Sequence, residues 1–109
     1  MIDPRQLTSV TVQEVTAWLR NDSPAWATAT RHHARVHERD GVVVIFARAT
    51  GGMVGYAVFD RQMSHIHYIE TRKDWRRRGV ASRIWARIRE EAGPGDLSVF
   101  PNTDDKLVQ

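Results

Sequence analysis

Residues 66–81 have the sequence IHYIETRKDWRRRGVA, in which an apolar run is followed by a basic loop, a glycine and the start of an amphipathic segment. This order predicts a strand that leads through the loop into a helix. Gly79 can adopt a positive φ, and the N–H groups of a helix's first turn have no partner within the helix. Such groups bind anions, and Arg76, Arg77 and Arg78 add positive charge beside them. The stretch therefore predicts an anion-binding loop.

The charges at the two ends of the predicted helix favour the same interpretation. Arginines stand at its positive N-terminal end, while Glu90 and Glu91 stand at its negative C-terminal end. Each of these placements is unfavourable by about 0.3–1 kcal/mol. An anion bound at the N-terminus would reverse the first of them.

The length and composition predict one domain, residues 1–109, with an anionic ligand. The net charge is +3, but 13 acidic residues are mixed among 16 basic ones, so the charge does not by itself indicate nucleic-acid binding. The absence of cysteine excludes disulfides, thiolate metal sites and a cysteine nucleophile. No apolar run approaches the roughly 18 residues of a membrane span, so we expect a soluble, cytoplasmic protein with no membrane partner.

Periodicity and capping residues divide the chain into segments. A capping box, Thr11 to Glu14, predicts a helix over 12–20, and Ser23-Pro24 predicts a second helix that ends near residue 36. The β-branched runs predict three antiparallel strands over 42–47, 54–59 and 65–71. A helix from Gly79 to Ala92 then precedes a strand over 97–100, which we expect parallel to the third strand. The predicted segments are two helices (12–38), three strands (42–71), a loop-helix-strand unit (72–100) and a tail (101–109).

The spacing Arg76-x-x-Gly79-x-Ala81 resembles the (Gln/Arg)-x-x-Gly-x-(Gly/Ala) motif of the GNAT superfamily of N-acetyltransferases, and the order of segments is similar over residues 11–100. The resemblance implies an α/β fold with a mixed sheet, in which antiparallel strands precede a strand-loop-helix-strand coenzyme unit. It implies acetyl transfer from acetyl-CoA to an amine of a small molecule or to a protein lysine. It also implies that the backbone of Ile69, Glu70 and Thr71 contacts the acetyl and pantetheine groups. The pyrophosphate would be held by Arg76, Arg77, Arg78, Gly79, Val80 and Ala81.

Acetyl transfer to an amine needs a base, and the candidates are His65 and Glu70. They differ by five positions in a strand, so we expect them on opposite faces, with at most one in the substrate channel. His65 stands where some members of the superfamily have a glutamate base. Three helix-periodic tryptophans are predicted core residues (Trp18, Trp26 and Trp85), and Tyr68 is either a core residue, the alternative we favour, or a wall of the substrate channel. Trp75 either packs on the sheet or covers the adenine, and the i, i+4 pair of His33 and His37 is not expected to bind a metal.

The sequence departs from the superfamily pattern after the last predicted strand. Members usually continue with Asn-x-x-Ala, a tyrosine that protonates the coenzyme thiolate, and a hairpin, whereas Asn102 is followed here by Thr-Asp-Asp-Lys and no tyrosine follows Tyr68. Three explanations stay open: solvent protonates the thiolate, a second subunit of a homo-oligomer completes the site, or coenzyme is bound without efficient turnover. Residues 97–105 also resemble those of small phage-encoded acetyltransferases. The rival hypothesis is a non-catalytic module whose basic loop and Trp75 bind CoA or nucleic acid.

Overall fold

The computed structural model describes residues 7–20, 22–49, 52–93, 95 and 97–99. These residues form five strands, three α-helices and a short 3-10 helix at Lys73–Trp75. The strands are β1 (Leu7–Thr11), β2 (Val42–Ala49), β3 (Gly52–Asp60), β4 (His65–Thr71) and β5 (Ser98–Val99). The α-helices are α1 (Val15–Trp18), α2 (Pro24–Val36) and α3 (Val80–Ala92).

The strands form one mixed sheet in the order β1-β2-β3-β4-β5. Consecutive strands from β1 to β4 pair antiparallel, and β5 pairs parallel to β4 through His65↔Ser98 and Ile66↔Val99. The predicted α/β class, the antiparallel strands and the parallel return after α3 are therefore confirmed. The predicted residue Phe100 and the tail 101–109 lie outside the described residues.

The N-terminal part differs from the prediction in two ways: it contains a strand that was not predicted, and its first helix is shorter than predicted. Strand β1 was not predicted, because LTSVT is a short edge strand without a strong apolar alternation. Both hydrogen bonds of the predicted capping box are present, since the Thr11 N–H donates to Glu14 Oε1 (3.0 Å) and the Glu14 N–H donates to Thr11 Oγ1 (3.2 Å), but the N-cap residue of the helix is Glu14 and not Thr11. The helix that follows spans only Val15–Trp18 rather than 12–20.

Each face of the sheet packs a separate apolar cluster. On one face, here called the α3 face, α3 covers residues of β2, β3 and β4, among them Ile45, Phe59, Ile66 and Ile69. On the opposite face, here called the α2 face, α1 and α2 cover Val44, Phe46, Tyr56 and Val58. The sheet is thus buried on both sides, which positions α2 over one side of β4 and the start of α3 beside its end.

Strand β3 lies close against α3 at Gly55. A Cβ atom there would lie 2.6 Å from Val80 Cγ1 and 3.2 Å from the carbonyl oxygen of Glu70. Neither Val80, on the first turn of α3, nor the β4 backbone can move without disturbing the core, so added atoms at this position force a shift of packed elements.

We therefore expect Gly55→Ala to destabilise the fold by about 1–3 kcal/mol, the usual cost of overpacking a core. Urea unfolding followed by circular dichroism measures this change. The matched control is Ser82→Ala, at an exposed position of α3, which should leave the free energy of unfolding within about 0.5 kcal/mol of the wild type. Equal stability of the two variants would contradict the close approach.

Candidate active site

Strand β4 contains a bulge that determines which side chains share a face. Tyr68 pairs with Val58 and Ile66 pairs with Phe59, so β4 advances by two residues where β3 advances by one. His67 is the extra residue. Ile66 and Ile69 consequently lie on the α3 face, while His65, His67, Tyr68 and Glu70 lie on the α2 face.

The bulge overturns the expectation that His65 and Glu70 lie on opposite faces. The His65 ring contacts that of His67 (4.7 Å between centroids), and His67 stacks on His37, the C-cap residue of α2. Glu70 accepts a hydrogen bond from Tyr68, whose ring stacks on His33 of α2 at 3.7 Å. Both candidate bases are therefore on the α2 face, because one extra residue shifts the alternation of the strand.

A cavity of about 490 Å³ lies between the start of α2, the end of β4 and the loop that follows β4. Aromatic rings and charged groups share its lining. The aromatic residues are Trp26, Tyr56 and Tyr68; the charged residues are Glu70, Arg72, Lys73, Asp74 and Arg76. Of the two candidate bases, Glu70 lines this cavity.

Glu70 is held at the cavity wall by two partners. The Tyr68 hydroxyl donates to Glu70 Oε1 at 2.6 Å, and Arg76 Nη2 donates to Oε2 at 3.1 Å. Arg76 Nε also donates to the carbonyl oxygen of Thr71 (3.3 Å). The first arginine of the basic loop is thus turned back toward β4 and joins the loop to the cavity.

The pKa of Tyr68 is raised, first by burial and then by its hydrogen bond to Glu70 and the negative charge of that carboxylate. Burial also raises the pKa of Tyr56, whose hydroxyl bonds to Thr30. Both phenols therefore hold their protons at neutral pH.

The basic loop leads directly into the N-terminus of α3. Arg77 and Gly79 both have left-handed φ angles, 64° and 83°, and Gly79 is the N-cap. Among the described residues no side chain caps this helix, and the Gly79 carbonyl accepts from the Arg83 N–H, which starts the helical ladder. Arg77 and Arg78 are exposed, and a Cβ at Gly79 would meet no atom closer than 3.9 Å, Arg83 Nε. The first turn of α3 therefore presents N–H groups to an open, positively charged surface.

Trp75 packs against the apolar cluster of the α3 face, and the Arg78 guanidinium covers its ring at 4.8 Å. Of the two alternatives for this residue, packing on the protein is the one the structure shows. The predicted core residue Trp18 is 39% exposed, whereas Tyr68 packs against the α2-face cluster and also lines the cavity, as its second alternative expected. Trp26 is part-buried and lines the cavity, and Trp85 packs against the α3-face cluster.

His65 lies at the start of β4, in a second polar group on the α2 face. Its Nδ1 atom is 2.6 Å from Ser98 Oγ, and its ring contacts His67. Burial and the neighbouring histidines lower the pKa of His67 and the pKa of His37. His67 Nε2 is 3.5 Å from Asp60 Oδ2.

Asp60 anchors this group from the end of β3. Its side chain is fully buried and accepts from Arg39 Nε at 2.8 Å and from the backbone N–H groups of Gln62 and Met63. Burial alone would raise the pKa of Asp60, but the hydrogen bonds from Arg39, the Met63 N–H and His67 outweigh burial and lower it.

A carboxylate whose pKa is lower in the folded than in the unfolded state contributes its full stabilisation at pH values above its pKa in the unfolded chain, about 3.9. This contribution is lost as the pH falls through its pKa in the folded protein. Asp60→Asn should therefore cost about 1–3 kcal/mol at pH 7, because buried donors lose a charged acceptor. The difference from the wild type should shrink below about pH 4. Urea unfolding across pH 3–7 measures it, with the exposed Asp74→Asn as control. A difference that is constant with pH would refute the ionised state of Asp60.

Sequence reasoning missed Trp26 and Tyr56 as cavity residues. Trp26 contacts Tyr56 edge-on at 5.5 Å, and Tyr56 lies 5.9 Å from Tyr68. Their helix and strand periodicity indicates burial, and only the placement of α2 over β4 shows that they border a cavity. Among the described residues no group of three or more His, Cys, Asp and Glu side chains could hold a metal ion.

The fold agrees with the comparisons to known proteins. A family model described as an acetyltransferase (GNAT) domain matches residues 7–105, so the chain belongs to that family. No curated protein sequence matches the chain. In the part of the chain that the structure describes, no helix is long and apolar enough to cross a membrane.

Solved structures with a similar fold include a ribosomal-protein-alanine N-acetyltransferase from Brucella melitensis biovar Abortus 2308. It is 15% identical, with a TM-score of 0.57, over 100% of this chain and 88% of that one. AAC(6')-Iy in complex with the bisubstrate analogue CoA-S-monomethyl-acetylneamine is 14% identical, with a TM-score of 0.55. The match covers 99% of this chain and 86% of that one. An aminoglycoside acetyltransferase from an uncultured soil metagenomic sample, in complex with sisomicin, is 13% identical, with a TM-score of 0.54. The match covers 94% of this chain and 82% of that one.

Proposed function

We propose that this GNAT domain transfers the acetyl group of acetyl-CoA to a primary amine bound in the cavity beside Glu70. One observation carries the proposal: β4 carries a carboxylate on the cavity wall and leads, within ten residues, to the uncapped N-terminus of α3. A donor with an acyl thioester at one end and a pyrophosphate further along can contact both features. The AAC(6')-Iy complex, in which the ligand is a CoA bisubstrate analogue, supports a CoA donor.

The loop fits a pyrophosphate. The open Gly79, the exposed Arg77 and Arg78, and the backbone of Val80 and Ala81 supply N–H donors and positive charge. Arg76 donates to Glu70, so we assign it to the passage between the basic loop and the cavity. From there it can contact either the Glu70 carboxylate or the pyrophosphate.

The backbone of Ile69, Glu70 and Thr71 is proposed to bind the acetyl and pantetheine groups. Among the described residues, β5 pairs with His65 and Ile66 at the beginning of β4. The later residues of that strand can therefore offer their outer edge to an extended ligand, in the manner of an added strand.

Glu70 is the proposed base, because it alone of the two candidates lines the cavity. An amine enters the site as an ammonium ion at neutral pH and must lose a proton before it attacks the thioester. A carboxylate attracts the ammonium and can accept that proton. His65 is the second candidate, since it lies on the same face of β4.

The acceptor is proposed to be a small amine or a lysine side chain, which aromatic walls and a carboxylate suit. Among the similar structures, one is named as a ribosomal-protein-alanine N-acetyltransferase and another as an aminoglycoside acetyltransferase. The nucleic-acid alternative is less well supported, because Trp75 packs against the protein and its ring is covered by Arg78. The cytoplasmic location and a homo-oligomer stay predictions.

The test is release of CoA thiol from acetyl-CoA in the presence of a panel of primary alkylamines, aminoglycosides and peptides with a free N-terminus or a lysine. The expected result is amine-dependent thiol release with a matching acetylated product. Thiol release from none of them, by a protein that is folded, would contradict catalysis and favour a binding module.

A further inference from the structure

Positive side chains outnumber carboxylates in the lining of the cavity. The lining includes three cations, Arg72, Lys73 and Arg76, and two carboxylates, Glu70 and Asp74. Arg76 and Glu70 are paired at 3.1 Å, which leaves Arg72 and Lys73 to be offset by Asp74, whose side chain is 70% exposed to solvent. An ammonium ion at Glu70 adds to the positive charge. The cavity therefore suits an acceptor that brings a negative charge together with its amine.

Arg72 stands where it can bind such a charge. It follows the last residue of β4, but its backbone N–H donates to the Val54 carbonyl at 2.8 Å, so the extended chain continues through it. Glu70 and Arg72 are thus two positions apart in an extended chain, and both line the cavity. Their Cα atoms are separated by about 6–7 Å, twice the rise per residue of a strand. One small molecule can span an amine site at Glu70 and an anion site at Arg72.

Three neighbouring groups hold the Arg72 guanidinium without a hydrogen bond. Its central carbon lies 6.0 Å from the centroid of the Trp26 ring. Its Nη1 atom is 3.8 Å from Oδ1 of Asp22, whose side chain is 1% exposed, and its Nε atom is 3.7 Å from Oδ1 of Asp74. Both distances exceed that of a hydrogen bond. Among the described residues the guanidinium therefore donates no hydrogen bond, and it keeps the forked donors that bind a carboxylate or a phosphate.

We infer that Arg72 selects acceptors that carry a carboxylate or a phosphate close to the reacting amine, an assignment that rests on the proposed function. The acceptor ammonium contacts Glu70, and its anionic group accepts hydrogen bonds from Arg72. Lys73 is exposed and adds positive charge at the rim of the cavity. Amines with several positive charges and no anion are poor acceptors, because they bring more positive charge to a lining that already has an excess.

The first experiment uses the wild-type protein and varies only the acceptor. Amino acids with a terminal amine and two to five carbons are each paired with the alkylamine that has a methyl group in place of the carboxylate. The diamine of the same length adds a second positive charge, and the phosphonate distinguishes a phosphate-like anion from a carboxylate. We expect kcat/KM for the best anionic acceptor to exceed that of its alkylamine by about 10- to 100-fold, the range of a charge-assisted hydrogen bond. An alkylamine or a diamine that reacts as well as its anionic counterparts would overturn the inference.

Arg72→Gln tests the residue itself, because it removes the charge and keeps a polar side chain. The ratio of kcat/KM for the anionic acceptor to kcat/KM for its alkylamine should fall to about one, and Arg72→Glu should shift the preference to the diamine. This ratio compares two substrates of one variant, so a loss of stability that lowers both rates alike does not change it. The matched control is Arg35→Gln, which removes the same charge at an exposed position in the last turn of α2 and should keep the wild-type ratio. A wild-type ratio in Arg72→Gln would overturn the assignment.

Titration with acetyl-CoA shows whether Arg72 binds the acceptor or the coenzyme. Arg72→Gln should leave the Kd for acetyl-CoA within about threefold of the wild type, because the arginines of the basic loop are untouched. A loss of affinity as large as that caused by removing Arg77 and Arg78 would assign Arg72 to the pyrophosphate and overturn the inference.

The outcomes separate this inference from the proposed function. If wild-type protein acetylates alkylamines as fast as the anionic acceptors, acetyl transfer stands and the role of Arg72 falls. If wild-type protein releases thiol with none of these acceptors and no amine of the earlier panel, the proposed function falls and the inference falls with it.

Discussion

Gly79→Glu is expected to abolish binding of acetyl-CoA. The substitution places a carboxylate at the N-cap of α3, among the N–H groups and arginines proposed to hold the pyrophosphate. Two like charges 4 Å apart repel by about 4 kcal/mol at an effective dielectric constant of 20. Such a penalty corresponds to a loss of about a thousandfold in affinity. Isothermal titration of the folded variant with acetyl-CoA measures the effect.

Two controls separate charge from backbone strain. Gly79 has a φ of 83°, so any side chain there strains the backbone, and Gly79→Ala reports that strain without the charge. Ala86→Glu adds the same charge at an exposed position of α3, away from its first turn. We expect Gly79→Ala to weaken binding less than about tenfold and Ala86→Glu to leave it nearly unchanged. Undiminished affinity in Gly79→Glu would remove the loop from the coenzyme site.

The arginines provide an independent test of the same site. Arg77→Ala combined with Arg78→Ala removes two exposed charges while the ion pair of Arg76 with Glu70 stays intact. The double variant should lose affinity for acetyl-CoA and for ADP alike, since both carry the pyrophosphate. Adding a substitution of Arg76 to the double variant then measures how much this arginine, between the loop and the cavity, contributes to the affinity.

Glu70→Gln is expected to lower kcat by about 10²–10⁴, the usual contribution of a general base. Glutamine keeps the size of the side chain, and its single carbonyl oxygen can still accept from one of the two donors, Tyr68 or Arg76, but it cannot take a proton from the amine. The Kd for acetyl-CoA should stay within about threefold of the wild type, because the loop is untouched. Steady-state kinetics with the best amine of the panel, together with titration of acetyl-CoA, measures both quantities.

His65→Gln and Asp74→Asn are the matched controls for this prediction. Asp74 is a second carboxylate on the cavity wall, with an exposed side chain, and His65 is the other candidate base, bonded to Ser98 at the far end of β4. Both variants should keep kcat within about threefold of the wild type. A large loss in His65→Gln, with a normal rate in Glu70→Gln, would transfer the role of base to the histidine.

The sequence predicted the strand-loop-helix unit well because local chemistry determines it. Gly79 begins α3, Gly93 ends it, and the apolar stripe of Val80, Ile84 and Ile88 packs on the sheet as its spacing indicates. Helix α2 likewise begins at the predicted proline, behind Ser23. In these segments one residue type at one position decides the backbone conformation.

The arrangement of the site was less predictable because it depends on contacts between distant segments. The bulge at His67 exchanges the two sheet faces for every β4 residue on one side of it. No residue type within His65–Thr71 predicts a bulge in this strand. The Arg76 side chain turns back to Glu70, although its place in the motif indicated a phosphate ligand. Trp26 and Tyr56 become cavity walls only because α2 crosses the sheet beside Tyr68.

The central claim is that the start of α3 and the end of β4 form one coenzyme site, and titration of the wild-type chain with acetyl-CoA tests it most directly. We predict micromolar affinity, competition by CoA, and weaker competition by ADP, because ADP occupies the loop but leaves the edge of β4 empty. We also predict that Gly79→Glu abolishes the signal. The claim would be contradicted if the folded protein bound no acetyl-CoA, or if ADP bound as tightly as the whole coenzyme.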